Sequence, residues 1–304
     1  MATTVVRSRR TTRPHGIEAR RRRVAYALLT PGGLWLGIFF LVPVVIMAYT
    51  SLKSGGVLSG GFTFSWEFEN YVTALSSRQE YFLRSLVYAA TTTIGTVALA
   101  YPAAYWIAFR GGRWKPTLLF MILLPYFVSF VIRTVQWKFI LADNGIVLGT
   151  LKDIGVMPED FKVLSTWMGV IGGLVYNYLP FAALPLYVAL ERIDESLIEG
   201  AYDLYARPVQ AFTKVIFPLS MPGVFAATLL TFVPATGDYV EAEILGGPTT
   251  KMIGNIIQDE YLVQARYPVA AALAMVLMFG MVFLTSLYAK FIGTEDETLA
   301  AARI

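Results

Sequence analysis

Apolar residues along this chain come in long runs, not in the short alternation of a half-buried strand or the single stripe of a surface helix. Six runs stand out, at approximately 24 to 50, 84 to 108, 117 to 141, 163 to 190, 218 to 237 and 267 to 290. Each approaches or exceeds the ~20 apolar residues an α-helix needs to cross a hydrocarbon core of ~30 Å. The pattern therefore predicts an all-α membrane protein of six transmembrane helices. Prolines inside the runs (Pro43, Pro102, Pro125, Pro180, Pro185, Pro234) fit kinked membrane helices whose freed backbone groups find other partners. An even number of crossings returns both termini to one side.

Composition agrees with a lipid environment. Of 304 residues, 56% are hydrophobic and only 15% charged, and the mean hydropathy is +0.57, so a soluble domain of this length would expose too much apolar surface. Three parts are expected: a basic N-terminal segment over 1–23, a transmembrane domain over 24–290 with a loop at 191–217, and a tail over 291–304. The run after the basic segment is too long for the apolar core of a signal peptide and no small-residue cleavage site follows it, so it is read as a retained first span.

Charge sets the orientation. The segments on the N-terminal side hold 16 of the 25 Lys and Arg residues, eight of them arginines within the first 23, against seven on the other side. This excess predicts both termini in the cytoplasm. The formal charge of +4 reads as that topology signal and not as a nucleic-acid surface. There is no cysteine and a single histidine, His15, among arginines, which excludes zinc or haem sites built on those residues; no cofactor or metal is expected. No GxxxxGK[ST] phosphate loop occurs, so ATP-driven work requires a partner.

The most informative polar stretch is LERIDESLIEGAYDLYARPVQAFTKVIFPLSMPG, from Leu190 to Gly223. Leu197, Ile198, Ala201, Leu204 and Tyr205 fall on one helical face, while Glu191, Glu195, Glu199 and Asp203 recur every four residues as an acidic stripe. A helix of about three turns before Pro208 is marginal on its own in water, so it should be held by docking. An amphipathic loop helix packed on its own bundle has the same spacing.

The run from Glu199 to Pro218 resembles the EAA loop of ABC importer permeases: Glu199, Ala201, Val215, Phe217 and Pro218 fall on corresponding positions. The resemblance implies a type I importer bundle in which this loop forms a coupling helix seated on an ATPase, with Glu199, Gly200, Ala201, Asp203, Leu204, Tyr205 and Pro218 as coupling residues. Two positions depart: Gly200 replaces the second alanine and Tyr205 the turn glycine. A β-carbon opposes the φ > 0 that glycine permits there, so a differently built turn or looser coupling is expected. WLGIFFLVP, ALAYPAAYWIAF, VIRTVQWKFIL followed by NG, and FVPATGDYVEAEILGGP with MIGNII resemble the spermidine/putrescine-type branch over roughly residues 28 to 290. The resemblance implies two ATP-binding subunits, a second homologous permease subunit and an extracytoplasmic substrate-binding protein as partners.

Ionisable residues in the spans need a reason, since a charge at the bilayer centre costs about 3 kcal/mol on insertion scales. Lys138 can snorkel to the headgroups; Arg133, deeper, is expected to pair with a carboxylate if it has a role. Asp238, Glu241 and Glu243 at the outer end of span five form a second cluster, with Asp238 and Glu241 three apart on one helical face. These acids, with Tyr239, Trp137, Tyr126 and Arg133, are the candidate substrate pathway: carboxylates draw a cation in and rings offer π faces to ammonium groups. An ordinary wet loop has such acids too. A membrane enzyme would need convergent acid, base or metal ligands, and HExxH and GxSxG are absent. A secondary transporter normally has more spans and inverted repeats. The reading is an importer permease for a small, cationic solute such as a polyamine, the alternatives being a secondary carrier or a different small solute.

Overall fold

The structure, a computed structural model, describes residues 15–56 and 60–301, with side chains described for 26–56 and 60–290. The charged side chains expected to orient 1–23, and the tail 291–304, lie outside the described side chains. Five helices are long and apolar enough to cross a membrane: Tyr26–Ser51, Glu69–Arg110, Trp167–Glu191, Pro208–Gly237 and Tyr267–Lys290. A sixth crossing comes from Gly112–Phe127 and Phe130–Ile140, two helices bent by 90° at a short break.

That the bent pair carries the chain across follows from its neighbours. The Trp167–Glu191 helix, at 1.5 Å per residue, is roughly 38 Å long. Lys115, at the start of the pair, meets Glu191 at 3.5 Å at one end of that helix, while the residues after the pair lead into Trp167 at the other. The six expected spans thus exist, but the third is not a single rod. Pro125 removes a backbone donor, and Val128 and Ser129 adopt extended ψ values of 141° and 131°, which end the first limb and aim the second sideways.

The second span is longer than its apolar run. Its helix begins at Glu69 instead of residue 84 and extends beyond any bilayer as a polar-studded outer arm. Between spans one and two a small antiparallel hairpin forms, β1 (Lys53–Gly56) and β2 (Gly61–Phe64), with Lys53 opposite Phe64. The hairpin marks one end of the bundle and the 191–208 loop the other.

The core lies where spans two, four and five meet, and its residues explain the closeness. Ala89, Ala100, Ala104 and Ala108 on span two and Ala182 and Ala183 on span four are fully buried, so backbones approach closely, as small residues allow in membrane helix packing. Near the loop end Ile107, Leu186, Leu190, Ile193 and Ile216 form one cluster; near the hairpin end Ile253, Ile256, Ala272 and Leu273 form another. Span one makes few contacts of this kind, and Trp35, Phe39 and Phe40 remain 61–64% exposed.

Candidate functional site

The 191–208 loop begins with a break after Glu191, where span four ends. Asp194 then caps a new helix, Glu195–Asp203, its side chain accepting the Ser196 N–H at 3.0 Å; that bond holds the Asp194 carboxyl below its usual range. Glu191 therefore belongs to span four and not to the acidic stripe, which is reduced to Glu195, Glu199 and Asp203 on one helix. The apolar face divides as well. Ile198 packs against the buried cluster around Leu190 and Ile216, whereas Leu197 is 50%, Leu204 83% and Tyr205 95% exposed. One residue grips the bundle and three face outward.

The turn after this helix is of the glycine type even though a tyrosine occupies it. Tyr205 has φ +59°; its N–H donates to the Tyr202 carbonyl at 2.9 Å and that of Ala206 to the Ala201 carbonyl at 3.0 Å, the paired bonds of a Schellman cap. The expected alternative of a differently built turn does not hold, and the left-handed conformation costs this tyrosine about 1 kcal/mol relative to glycine. Gly200 has open space where its β-carbon would be, so the alanine of the EAA pattern would fit there. Pro208 opens the next helix, supplying fixed φ at its first position, and that helix runs on through a π-turn at Phe212–Ile216 into span five. Pro218 lies exposed just past the π-turn. Tyr101 of span two anchors this foot, its ring against Phe212 and Phe217 and its hydroxyl 2.8 Å from Ser220 Oγ.

Of the acidic cluster, only Glu241 lies inside the bundle; Asp238 is half-buried and Glu243 exposed. Span five ends at Gly237, Asp238 turns to ψ 132°, and a short helix, Val240–Ile244, continues along span four. Asp238 and Glu241 are consequently not on one helical face. Asp238 Oδ1 accepts the Val240 N–H at 2.9 Å, and its Oδ2 accepts the Tyr178 hydroxyl at 2.9 Å. Glu241 is fully buried: its Oε1 accepts the Asn177 amide and, at 3.4 Å, the Thr134 hydroxyl, while Oε2 has no hydrogen-bond partner among the described residues. Asn177 is the eleventh residue of span four, about 15 Å from that helix's hairpin end. Gly173 makes room, since a β-carbon there would meet Leu245 at 2.5 Å and Glu241 Cγ at 3.3 Å.

Around these acids the rest of the cluster divides. Arg133 is 7% exposed and makes no ion pair among the described residues, against the expected carboxylate partner. Its NH1 donates instead to the Pro125 carbonyl at 2.7 Å, and its guanidinium lies 5.8 Å from the Tyr126 ring and 5.7 Å from that of Tyr176. Placing a cation against the last carbonyls of the first limb satisfies what the break exposes. Trp137 packs edge-on against Tyr176 at 5.2 Å, so Trp137, Tyr126 and Arg133 are one group. Tyr239 is separate and 43% exposed; its carbonyl accepts from Asn255 Nδ2 at 2.9 Å, which also donates to Glu243 at 3.1 Å. Glu243 is exposed and Lys138 too. Asn177, Tyr178 and Thr134 escaped the sequence reading because neutral polar residues inside apolar runs give no charge signal, and Asn255, between the last two runs, gives none either.

The chain was compared with known proteins. Residues 100–292 match the family described as binding-protein-dependent transport system inner membrane component. The spermidine/putrescine transport system permease protein PotB of Haemophilus influenzae (strain ATCC 51907 / DSM 11121 / KW20 / Rd) is 35% identical over 256 residues, covering 84% of this chain and 89% of that protein. PotB of Escherichia coli (strain K12) is 32% identical over 255 residues, covering 84% and 92%. The crystal structure of a bacterial ABC transporter involved in the import of the acidic polysaccharide alginate superposes with a TM-score of 0.64 at 20% identity, covering 90% of this chain and 97% of the other; at that identity the likeness speaks for the fold. With the six-crossing bundle these matches lead to one conclusion: the chain belongs to the family of binding-protein-dependent transport system inner membrane components, and is a multi-pass permease subunit of an ABC importer.

Proposed function

We propose that this permease forms half of a translocation pathway for a polyamine such as spermidine or putrescine. The observation that carries the reading is the acid group at the span-five break: Glu243 exposed, Asp238 half-buried, Glu241 enclosed behind them. Glu241, enclosed with only the neutral Asn177 and Thr134 as partners, forms the inner wall of the site, while Asp238, Glu243 and the exposed rings of Tyr239 and Tyr126 meet the solute. The PotB relatives carry the polyamine in their names.

The remaining parts follow the same reading. Two ATP-binding subunits hydrolyse ATP outside this chain, a second homologous permease completes the pathway, and an extracytoplasmic binding protein delivers the solute. Both termini and the 191–217 loop face the cytoplasm, and Glu199, Gly200, Ala201, Asp203, Leu204, Tyr205 and Pro218 form the coupling surface. ATP-driven closure of the motors moves that surface, and Tyr101 with Phe212 and Phe217 passes the displacement to spans two and five. Only differential contacts in the inward and outward states let this bias the pathway.

Uptake by the reconstituted complex tests both halves. Asp238→Asn with Glu243→Gln should raise the spermidine concentration needed for half-maximal uptake by about thirtyfold, each of the two lost charge-assisted contacts being worth roughly 1 kcal/mol. An unchanged uptake curve would discard the acid site. Glu199→Lys should abolish substrate-stimulated ATP hydrolysis with the bundle still folded; intact stimulation would discard the coupling role.

A further inference from the structure

From Phe62 to Phe68 the chain reads FTFSWEF, an aromatic residue at every second position. Period two places alternate side chains on one side of an extended segment. Phe62 and Phe64 lie on β2; Trp66 then takes φ +51°, a conformation that L side chains rarely adopt, and its ring stays in file with that of Phe64. The rings of Phe64 and Trp66 are 5.1 Å apart and those of Trp66 and Phe68 6.3 Å, while Tyr49 of span one stacks on Phe64 at 5.0 Å. Phe62 meets Tyr267, the first residue of span six, at 5.3 Å. Tyr49, Phe64, Trp66 and Phe68 are 38–63% exposed, so a continuous row of rings faces outward.

Span one sets the level of this row. Its helix, Tyr26–Ser51, carries no Lys, Arg, Asp or Glu. Tyr26 and Tyr49 lie roughly 35 Å apart along it at 1.5 Å per residue, so a hydrocarbon core of ~30 Å leaves one tyrosine just beyond each edge. Val42, Val45 and Ile46, in the turns before Tyr49, are exposed as well, and lifting the hairpin clear of the membrane would draw that apolar flank into water. The start of span two is bound to the same level: Asn70 Nδ2 donates to the Ser51 carbonyl at 2.9 Å and to the Lys53 carbonyl at 3.0 Å, and the hydroxyls of Ser51 and Tyr71 are 2.6 Å apart. Lys53 Nζ lies 4.8 Å from the centroid of the Tyr49 ring. Tryptophan, tyrosine and a lysine lying along an aromatic surface are side chains that suit the headgroup layer, where an apolar body and a polar tip are both satisfied.

We propose that the aromatic row is a lipid anchor: Phe64, Trp66 and Phe68 lie in the headgroup layer of the leaflet opposite the 191–217 loop, with Tyr49 beside them, and hold the joined ends of spans one, two and six at that surface. The partner of this face is the glycerol and headgroup region of phospholipid and not a protein. Thr63 and Ser65, the exposed polar positions of the same alternation, face water. The left-handed turn at Trp66 keeps the large ring in the row, which is the use to which the strain is put.

The experiment uses the assembled importer in phosphatidylcholine vesicles. Because this chain has no cysteine, Trp66→Cys carries an environment-sensitive dye at a single position of it, read as the difference from the parent complex treated alike. Lipid bearing a nitroxide on its headgroup should quench that dye several-fold more than iodide in the water does, and the order should reverse for Ser65→Cys. Phe68→Cys, which leaves Trp66 in place, should repeat the lipid result at a second ring of the row. Stronger quenching by iodide at both Trp66→Cys and Phe68→Cys would leave the hairpin standing in water above the bilayer and overturn the proposal. Quenching by neither agent would assign the rings to the face of another subunit and likewise overturn it, as would lipid quenching of equal strength at Ser65→Cys.

Discussion

Single residues decide how closely the break at 237–239 can be covered. Gly254 is the clearest case: a β-carbon there would lie 2.5 Å from the Gly237 carbonyl oxygen and 3.1 Å from Tyr239 Cβ, and a backbone oxygen cannot move aside as a side-chain tip can. Gly254→Ala should therefore destabilise the permease by about 1–3 kcal/mol, the usual cost of overpacking, seen as a lower melting temperature of the purified complex. An unchanged melting temperature would mean that the Ile253–Gln258 helix does not press on the break. The neighbouring Asn255 gives the reason for the contact, since its amide satisfies the Tyr239 carbonyl that the break releases. The stretches GDYVEAEILGGP and MIGNII thus make one piece of structure: the first breaks the helix and the second covers the break.

At the scale of elements, the third span shows how a membrane helix is stopped and repaired. Pro125 and the extended Val128 and Ser129 end the first limb, and Arg133, one turn into the second, donates back to the Pro125 carbonyl. Arg133→Met should cost about 2 kcal/mol, because the carbonyl loses a charged donor and Tyr126 and Tyr176 lose the cation between their rings. Full stability of the methionine variant in a thermal melt would show that the bend needs no such clamp. The existence and position of the span were legible in its apolar run, and the lone buried arginine was legible as an anomaly. Its partner was not, because a backbone carbonyl freed by a bend has no signature in a one-dimensional pattern. The Glu195–Asp203 helix repeats the lesson: its spacing foretold an amphipathic helix, yet Ile198 turned inward while Leu197, Leu204 and Tyr205 turned out.

For the whole molecule, connections between distant segments hold the hairpin end together. Glu260 is 1% exposed and meets Arg78 of the long second helix at 2.7 Å and Arg266 at 2.8 Å, tying the outer arm of span two to the start of span six. Glu260→Gln should lower stability by about 2 kcal/mol, less than for a fully buried pair because both arginines keep some access to water. A melting temperature within error of the parent would show that the arm is held by packing alone.

What the sequence determined by itself was the solvent of the chain and the number of crossings. These depend on composition and run length, both of which can be counted along a line. Tertiary structure alone decided which acids are exposed and which are enclosed, and where the broken helices find hydrogen bonds. Asp238, Glu241 and Glu243 look equivalent in sequence. Their difference comes from Tyr178, Asn177 and Asn255, brought to them from other parts of the chain, because burial and hydrogen bonding depend on neighbours in space.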